Sequence, residues 1–357
     1  MHLMTEQYYF DFFNRRKTGS VFCVKLLQLL QVVCLLLPVA FSSGCATGGD
    51  TSASLSKRLM FYPEAKYLTA EGIGQSEAEA KNIALSELSR IFEAKVLSET
   101  SDVMVSLYTD KDGKKSEVFT QQAQAKVRVT SGVAFEGVRT KETWFDKTDK
   151  KYHALAVLKR AEAGAAWLAK VNDLDNKIRA ELLAIESVQS RFLLFRGYRR
   201  VEDLWVERAV YASRIRVIGG TVPVPDYNMS EVLAKMAQVR SEIAVFFELT
   251  GDNAEILQYE IVAALIKLGF KVAPDRESSS ILISGQIKVH PLEMSNPGWQ
   301  FAGAEAGVVL KDLTTGNEVG SVSKEARAAH LEFRGAVRRA VRKVAGEVSR
   351  ELLLLFK

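Results

Sequence analysis

One cysteine carries the most definite chemistry in this sequence. Cys45 follows the small residues Ser42, Ser43 and Gly44, which end an apolar stretch. A basic flank, an apolar stretch and small residues before a cysteine are together typical of a bacterial secretory signal that ends in a lipobox. The sequence therefore predicts that the mature chain begins at Cys45, carries lipid on the cysteine sulfur and lies on a membrane surface outside the cytoplasm.

The alternative to a cleaved signal is an uncleaved transmembrane anchor. Residues 26–41 are apolar except for two glutamines and Pro38, whereas a membrane-spanning helix needs about 20 apolar residues. The lipobox departs from the usual pattern because Ser42 stands where leucine is common. Ala46, rather than an aspartate, follows the cysteine, which resembles the sorting of Gram-negative lipoproteins to the outer membrane. We expect a lipid anchor on the periplasmic face of that membrane.

Cysteine usage and net charge narrow the classes of function. The other two cysteines, Cys23 and Cys34, lie inside the leader, so the mature chain can form neither an internal disulfide nor a cysteine-based metal site. The leader holds four basic and two acidic residues, and its removal lowers the formal net charge from +5 to +3. So small an excess of positive charge argues against nucleic acid as a partner.

The mature chain holds few groups that could carry out catalysis. Its histidines are His153, His290 and His330. None has a second histidine at metal-ligand spacing, so we expect no metal and no cofactor. Neighbouring acids such as Asp173 and Asp175 diverge along a helix and make poor acid–base pairs. We expect a protein that is not an enzyme, although acids distant in sequence can meet in a fold, so a glycosidase stays open.

A proline-bounded loop is the best candidate for a partner contact. Residues 290–299 join two predicted strands and contain Met294 and Trp299. An exposed tryptophan in such a loop suits the recognition of a protein partner. The alternative is that Trp299 packs over the edge of the sheet.

The last helix of the chain offers a second candidate surface. Arg334, Arg338 and Arg342 follow one another at intervals of four residues, so they lie along one stripe of a helix. This stripe suits an acidic partner or anionic lipid, and the alternative is an ordinary solvated face.

The elements that position these groups predict an α+β fold, in which two α/β modules are joined by a helical hairpin behind a lipoprotein signal peptide. The predicted divisions are a signal peptide at 1–44, a flexible tether at 45–63, a first α/β domain at 64–159, a helical connector at 160–218, a linker at 219–241 and a second α/β domain at 242–357.

The first domain begins with a strand that ends at Gly74, and a long helix follows it. Ser76 is the predicted N-cap of this helix, and Glu79 completes a capping box. Alternation of side chains predicts that antiparallel strands follow the helix. These predicted strands are at 103–108, 119–130, 133–145 and 152–158, with a turn at 110–113.

Two segments of this domain resemble a known family. They are residues 70–84, with the sequence AEGIGQSEAEAKNIA, and residues 151–158, with the sequence KYHALAVL. Both are similar to the Lpp-twenty family of envelope lipoproteins, and the same module is similar to the amino-terminal domain of the flagellar assembly protein FlgT. The resemblance covers about a quarter of the chain. It implies an α/β module at the outer membrane, without catalytic residues.

A helical connector follows the first domain. Gly197 is expected to end its first helix, and a second helix is expected to begin near Val201, which together make an antiparallel hairpin. Four arginines of the connector are expected to be exposed on a solvated face, and the alternative is a contact with anionic headgroups or polymers of the envelope. They are Arg196, Arg199, Arg200 and Arg208. A hairpin of this kind must pack on a domain or on a partner.

The second domain reads as β-α-β-β-β-β-α. Asp252 is the expected cap of its first helix, and Gly269 is the expected end. We expect His290 in a loop and His330 at the start of the last helix.

This layout also resembles known modules. Together with the sequences LGF at 268–270 and ILISG at 281–285, it is similar to the amino-terminal module of TolB. Related modules occur in FlgT, in the curli secretion lipoprotein CsgG and in the penicillin-binding-protein activator LpoB. These proteins bind other envelope proteins or assemble into rings, and the resemblance implies a role of that kind.

We therefore expect a non-enzymatic outer-membrane lipoprotein that acts as a periplasmic assembly or activator factor through protein–protein contacts. Its expected partners are the membrane, through the lipid anchor, and an envelope complex of the flagellar, cell-wall or secretion machinery. Two alternatives stay open: a peptidoglycan-binding or peptidoglycan-active protein, and an oligomeric subunit of a secretion ring, which would be a homo-oligomer.

Overall fold

The computed structural model describes residues 50–108, 137–294, 296 and 298–356. The chain divides into two compact units, Met1–Ser56 and Lys57–Lys357. The described residues of the first unit belong to helix α1, Asp50–Leu59. The tether predicted as flexible is therefore helical at Asp50–Leu59. Within the described residues, no helix is long and apolar enough to cross a membrane.

The first sheet has three antiparallel strands in the order β1-β3-β2. The elements are β1, Tyr67–Gly74, helix α2, Glu77–Tyr108, β2, Arg139–Asp146, and β3, Lys151–Lys159. Helix α2 packs on one face of the sheet, where Ala80 and Ala84 meet Ala154 and Ala156. A Cβ atom on Gly72 would lie 2.2 Å from the backbone nitrogen of Ala84. Gly72 therefore permits close packing of β1 on α2.

The predicted capping of α2 is confirmed, with one shift. The Ser76 hydroxyl accepts a hydrogen bond from the backbone N–H of Glu79 at 3.2 Å. The Glu79 carboxylate accepts one from the backbone N–H of Gln75 at 2.7 Å, one residue before the position that a capping box usually uses. The glycine-rich end of β1 is thus followed by a firmly capped helix.

Helix α2 is longer than the sequence predicts, and the predicted strand at 103–108 is wrong. Val96, Thr100 and Met104 are all buried, so a helical stripe with a period of four residues continues to the end of α2. The predicted turn at 110–113 and the predicted strand at 119–130 lie outside the described residues. Of the strand predicted at 133–145, the structure describes residues 137–145, of which β2 begins at Arg139, and the closing strand is confirmed as β3.

The connector is an antiparallel hairpin of two helices, α3, Arg160–Ile185, and α4, Arg191–Val217. The predicted break at Gly197 is wrong, because the turn precedes Ser190, whose hydroxyl accepts a hydrogen bond from the Leu193 N–H at 3.1 Å. Gly197 lies inside α4, where a Cβ atom would be 2.2 Å from Cγ2 of Ile185. The glycine therefore permits close helix packing and does not end a helix.

The segment predicted as a linker contains a further helix, α5, Met229–Glu242. The Asn228 side chain caps it by accepting a hydrogen bond from the Ser230 N–H at 3.0 Å. Val232 and Met236 of this helix are buried. The domain divisions stay predictions.

The second sheet has five strands in the order β5-β4-β6-β7-β8. The elements are β4, Ala244–Gly251, α6, Ala254–Lys267, β5, Lys271–Val272, β6, Ile281–Leu292, β7, Gln300–Asp312, β8, Glu318–His330, and α7, Phe333–Leu352, before a 3₁₀ turn, Leu353–Phe356. This order confirms the predicted β-α-β-β-β-β-α pattern. Helices α6 and α7 pack on one face through a shared apolar cluster. The other face carries exposed polar side chains, such as Gln286, Glu305 and Glu325.

Three local predictions in this module are wrong. Asn253, with φ 59°, precedes α6 in place of Asp252 and makes no side-chain cap bond. His290 belongs to β6, where it pairs with Gly303 of β7, and a Cβ atom on Gly303 would lie 2.4 Å from its ring. His330 ends β8, and its Nδ1 accepts a hydrogen bond from the Glu332 N–H at 3.0 Å.

Helix α4 contributes to both hydrophobic clusters of the unit Lys57–Lys357. Phe192 and Phe195, near its beginning, join the cluster of the second sheet. Val201 and Ile215, further along, join the cluster of the first sheet. Tyr198 packs against both clusters. The predicted hairpin is therefore shared between two sheets.

A buried carboxylate joins two turns of the fold. The Ser190 hydroxyl, at the start of α4, donates a hydrogen bond to the carboxylate of Asp312, at the end of β7. The same carboxylate accepts a hydrogen bond from the backbone N–H of Thr314 at 2.8 Å, in the turn between β7 and β8. Asp312 is 1% exposed, so this contact fixes the connector turn to the β7–β8 turn.

We expect Gly197→Ala to lower the free energy of unfolding by about 1–3 kcal/mol, because the added methyl group overpacks the contact with Ile185. Urea unfolding followed by circular dichroism measures this change. The matched control is Gly346→Ala in α7, where a Cβ atom meets nothing within 4 Å, so that this change should stabilise the protein by up to about 1 kcal/mol. Equal effects of the two substitutions would contradict the packing argument.

Candidate interaction surface

One end of the second sheet exposes large apolar side chains. Gln300 of β7 pairs with His330 of β8, so the loop before β7 and the connection after β8 lie side by side. The exposed side chains there are Met294 (57%), Trp299 (43%), Leu331 (67%) and Phe333 (39%). We call these four residues, together with Arg334 and Arg338, the end surface.

The arginines of α7 extend from this end along the helix. The three predicted ones, Arg334, Arg338 and Arg342, are all exposed. Within the part of the chain that the structure describes, none of them forms an ion pair. Arg339, beside the stripe, donates a hydrogen bond to the Ala329 carbonyl at 3.2 Å and joins α7 to β8. Two exposed acids, Glu293 and Glu332, flank the apolar side chains, so the excess of positive charge comes from α7.

The structure thus brings together residues that the sequence identified separately. Because Gln300 pairs with His330, the loop that carries Met294 and Trp299 and the start of α7 are at the same end of the sheet. Arg334 lies in the first turn of α7 and Arg338 in the next. Arg342 lies eight residues beyond Arg334, which is about 12 Å along the helix axis, and extends the stripe away from the apolar side chains. Cys45, the predicted lipidation site, lies outside the described residues.

A second polar cluster surrounds His153 on the first sheet. His153 is 4% exposed, its Nδ1 lies 2.7 Å from Oε1 of Glu71, and its Nε2 lies 3.0 Å from Oδ2 of Asp149. The ring stacks on Trp144 with centroids 5.2 Å apart, and the Arg58 guanidinium lies 4.3 Å from the Trp144 ring centroid. A buried cation between two carboxylates is the state that these contacts favour.

Burial and the two neighbouring carboxylates act on the pKa of His153 in opposite directions. Burial by itself opposes the charge of the imidazolium, but the hydrogen bonds to Glu71 and Asp149 and the negative charges of both acids outweigh it, so the pKa of His153 is raised above its ordinary value of 6.5. The same contact acts on Asp149, where burial is outweighed by hydrogen bonds from the Lys151 N–H and from His153, so the pKa of Asp149 is lowered.

Three side chains in this cluster could in principle hold a metal ion. Ligand atoms of Asp146, Asp149 and His153 lie within 4.8 Å of one another. Both ring nitrogens of His153 already face carboxylates, and an imidazolium has no lone pair to offer a metal. The Asp146 carboxylate accepts a hydrogen bond from the Thr148 N–H at 2.7 Å. The cluster therefore fixes the β2–β3 turn, and the signal that sequence reasoning missed is the pair of aspartates just before the histidine.

Asp175, one of the two neighbouring acids that the sequence identifies as a poor acid–base pair, is held in a buried ion pair. Asp175 accepts hydrogen bonds from Nε of Arg208 and from the Tyr227 hydroxyl, each at 2.5 Å. Arg208 also donates to the Pro223 carbonyl at 2.9 Å. The expected exposure of Arg208 is wrong, because Asp175 satisfies its charge between α3 and α4. This arrangement joins the hairpin to the segment before α5.

A second buried acid, Glu202 of α4, joins α2 to α4. Glu202 is buried, accepts a hydrogen bond from the Tyr108 hydroxyl and forms an ion pair with Arg199. Burial, followed by the negative charge of Glu202, raises the pKa of Tyr108, so its hydroxyl keeps its proton and donates. These acids hold helices together in the described structure.

We expect His153 to stabilise the fold at acidic pH and to lose this effect as the pH rises. A group whose folded-state pKa is raised stabilises the fold fully below its unfolded pKa, here about 6.5, and this contribution disappears as the pH rises through the folded-state value. Urea unfolding at pH 6 and pH 8.5 should show a difference that His153→Gln reduces. His290→Gln is the control, and an unchanged pH dependence in His153→Gln would contradict this assignment.

Comparison with known proteins assigns no family to the chain. No family model matches it, and no curated protein matches it. Among solved structures, it is similar to the secreted protein HP1454 from Helicobacter pylori, with 13% identity and a TM-score of 0.40, over 82% of this chain and 99% of that one.

Two further structures match a smaller part of the chain. A minor lipoprotein from Acinetobacter baumannii matches with 11% identity and a TM-score of 0.25, over 31% of this chain and 87% of its own. The protein XCC0632 from Xanthomonas campestris matches with 16% identity and a TM-score of 0.23, over 31% and 80%. These scores are too low to carry an argument about function, so the resemblance to the Lpp-twenty family stays a hypothesis.

Proposed function

We propose that this protein is a non-enzymatic lipoprotein on the periplasmic face of the outer membrane, and that it acts as an assembly or activator factor by binding another envelope protein. The observation that carries the proposal is the end surface, where four large apolar side chains are exposed beside arginines. Large exposed apolar patches that are rimmed by polar residues mark protein–protein or membrane interaction sites.

The composition of the end surface suits a protein partner. Aromatic residues, methionine and arginine are the types that are enriched in the buried centres of protein interfaces. Trp299 and the arginines would supply the largest contributions, because tryptophan and arginine dominate the binding energy of most interfaces. The remaining apolar side chains would exclude water around them.

The charge of α7 indicates which partner fits. Arg334, Arg338 and Arg342 are exposed and unpaired within the described residues, so an acidic surface would not have to displace an existing ion pair. Complementary charge raises the rate of encounter and selects among partners more than it raises affinity. We therefore expect an acidic patch on the partner, with apolar residues beside it.

The lipid predicted on Cys45 would assist this contact. Anchoring holds the protein near partners in the same membrane, so that a modest affinity becomes sufficient through a high effective concentration.

We expect Cys45→Ser to abolish lipidation. Cells that are fed an alkyne analogue of palmitic acid should label the unaltered protein and leave the variant unlabelled, because the acylated sulfur is absent. Density-gradient fractionation should show the unaltered protein with outer membranes and the variant displaced from them. Cys34→Ser, inside the predicted leader, is the control and should keep the label. Labelled Cys45→Ser protein would remove the lipoprotein assignment.

We expect changes in the end surface to release the partner without unfolding the protein. Trp299→Ala with Met294→Ala, or Arg334→Glu with Arg338→Glu, should reduce the yield of one defined complex in cross-linking and mass spectrometry of intact cells at least about tenfold, since interface anchors contribute 1.4 kcal/mol or more.

The matched controls lie away from the end surface. Tyr259→Ala changes an aromatic residue that is 71% exposed on α6, and Lys235→Glu with Lys271→Glu reverses two exposed charges. These variants should keep the complex. If controls and end-surface variants lose it equally, the partner binds another face.

The same experiment tests the second candidate function, an oligomeric subunit. Its support is β8, a strand of 13 residues at the edge of the sheet, because an uncovered edge strand is a template for pairing with another chain. Cross-linked species at multiples of the monomer mass, unaffected by end-surface variants, would favour that function.

A further inference from the structure

A cleft on the first sheet lies apart from the end surface and combines aromatic with cationic side chains. It has a volume of 420 Å³ and lies between β2, β3 and the first turns of α3. The side chains that matter for its chemistry are Tyr62, Tyr67, Arg139, Lys141, Lys159 and Trp167. A volume of this size suits a small ligand.

The cleft has an excess of positive charge. Nζ of Lys159 lies 2.6 Å from Oε1 of Glu162. Among the described residues that line the cleft, this is the only ion pair. The hydrogen bond from Lys159 and its charge lower the pKa of Glu162, and Arg139 and Lys141 add to this effect. Three cations therefore act on one carboxylate, and within the described residues Arg139 and Lys141 have no ion pair of their own. A second anionic group would balance them.

The aromatic side chains give the cleft a fixed apolar wall. The ring of Tyr62 meets that of Tyr67 edge to face, with centroids 5.4 Å apart. Trp167 is buried and stacks on Phe92 with centroids 5.5 Å apart, so it forms part of the floor. Rings that are held by other rings lose little conformational entropy when a ligand binds.

We propose that this cleft binds an anionic sugar, which is a pyranose-sized ring that carries a carboxylate or a phosphate. The acidic group would lie between Arg139 and Lys141, where an arginine can donate two parallel hydrogen bonds to either kind of group. The apolar face of the sugar ring would lie against Tyr62. This site is distinct from the end surface and does not depend on the protein partner proposed there.

The test measures the binding of three sugars to the full chain by ligand-detected magnetic resonance titration. N-acetylmuramic acid carries a carboxylate, N-acetylglucosamine 1-phosphate carries a phosphate, and N-acetylglucosamine is neutral. At least one acidic sugar should bind about tenfold more tightly than the neutral one, because hydrogen bonds to charged groups contribute more than neutral ones. If only one of the two acidic sugars binds, the result shows whether the cleft recognises a carboxylate or a phosphate. Raising the salt concentration should weaken binding, since the charges are exposed.

Two variants test the placement. Arg139→Gln with Lys141→Gln should weaken the acidic sugar about tenfold, whereas Lys147→Gln with Lys170→Gln, which removes two exposed charges outside the cleft, should leave it unchanged. Tyr62→Leu provides an independent variant that keeps all charges and should also weaken binding. The proposal is overturned if neither acid binds saturably, if the neutral sugar binds as tightly, or if the cleft variants bind like the unaltered protein.

Discussion

The packing of α4 is the constraint on which the rest of the unit Lys57–Lys357 depends. Its first turns bury Phe192 and Phe195 in one hydrophobic cluster, and its later turns bury Val201 and Ile215 in the other. Gly197 lies between these two groups along α4, where a Cβ atom would be 2.2 Å from Cγ2 of Ile185 at the end of α3. Helix α4 therefore connects the two clusters without interruption. Helix α5 connects them as well, because Met236 belongs to one cluster and Val232 to the other.

The sequence predicts the second module better than the first for a physical reason. Strands and helices of the second module bury side chains at the periods that define them, so their order could be derived from local patterns. The errors at Gly197, Arg208 and the end of α2 have a common origin. Each of these residues is decided by a partner that is distant in the chain, such as Ile185 for Gly197 or Asp175 for Arg208, and local patterns contain no information about such partners.

The candidate sites also depend on contacts between residues that are distant in the chain. The sequence identified Trp299 and the arginines of α7 by residue type, but the pairing of Gln300 with His330 is what places them on one surface. The exposed Leu331 and Phe333 complete that surface and were not predicted, because isolated apolar residues near a helix start resemble core residues. The cleft near Tyr62 could not be predicted at all, since its walls come from β2, β3, α3 and the segment after α1.

The contact between Ser190 and Asp312 has a mechanical consequence. Strand β7 runs for 13 residues from Gln300, beside the end surface, to Asp312, which is a length of about 40 Å. Its far end is bonded to the turn that begins α4, and α4 is packed into both clusters. The end surface is therefore connected to α4 through the paired strands β7 and β8 and the contact between Asp312 and Ser190. A force on the end surface would therefore be transmitted through the β7–β8 hairpin to the helical hairpin of α3 and α4.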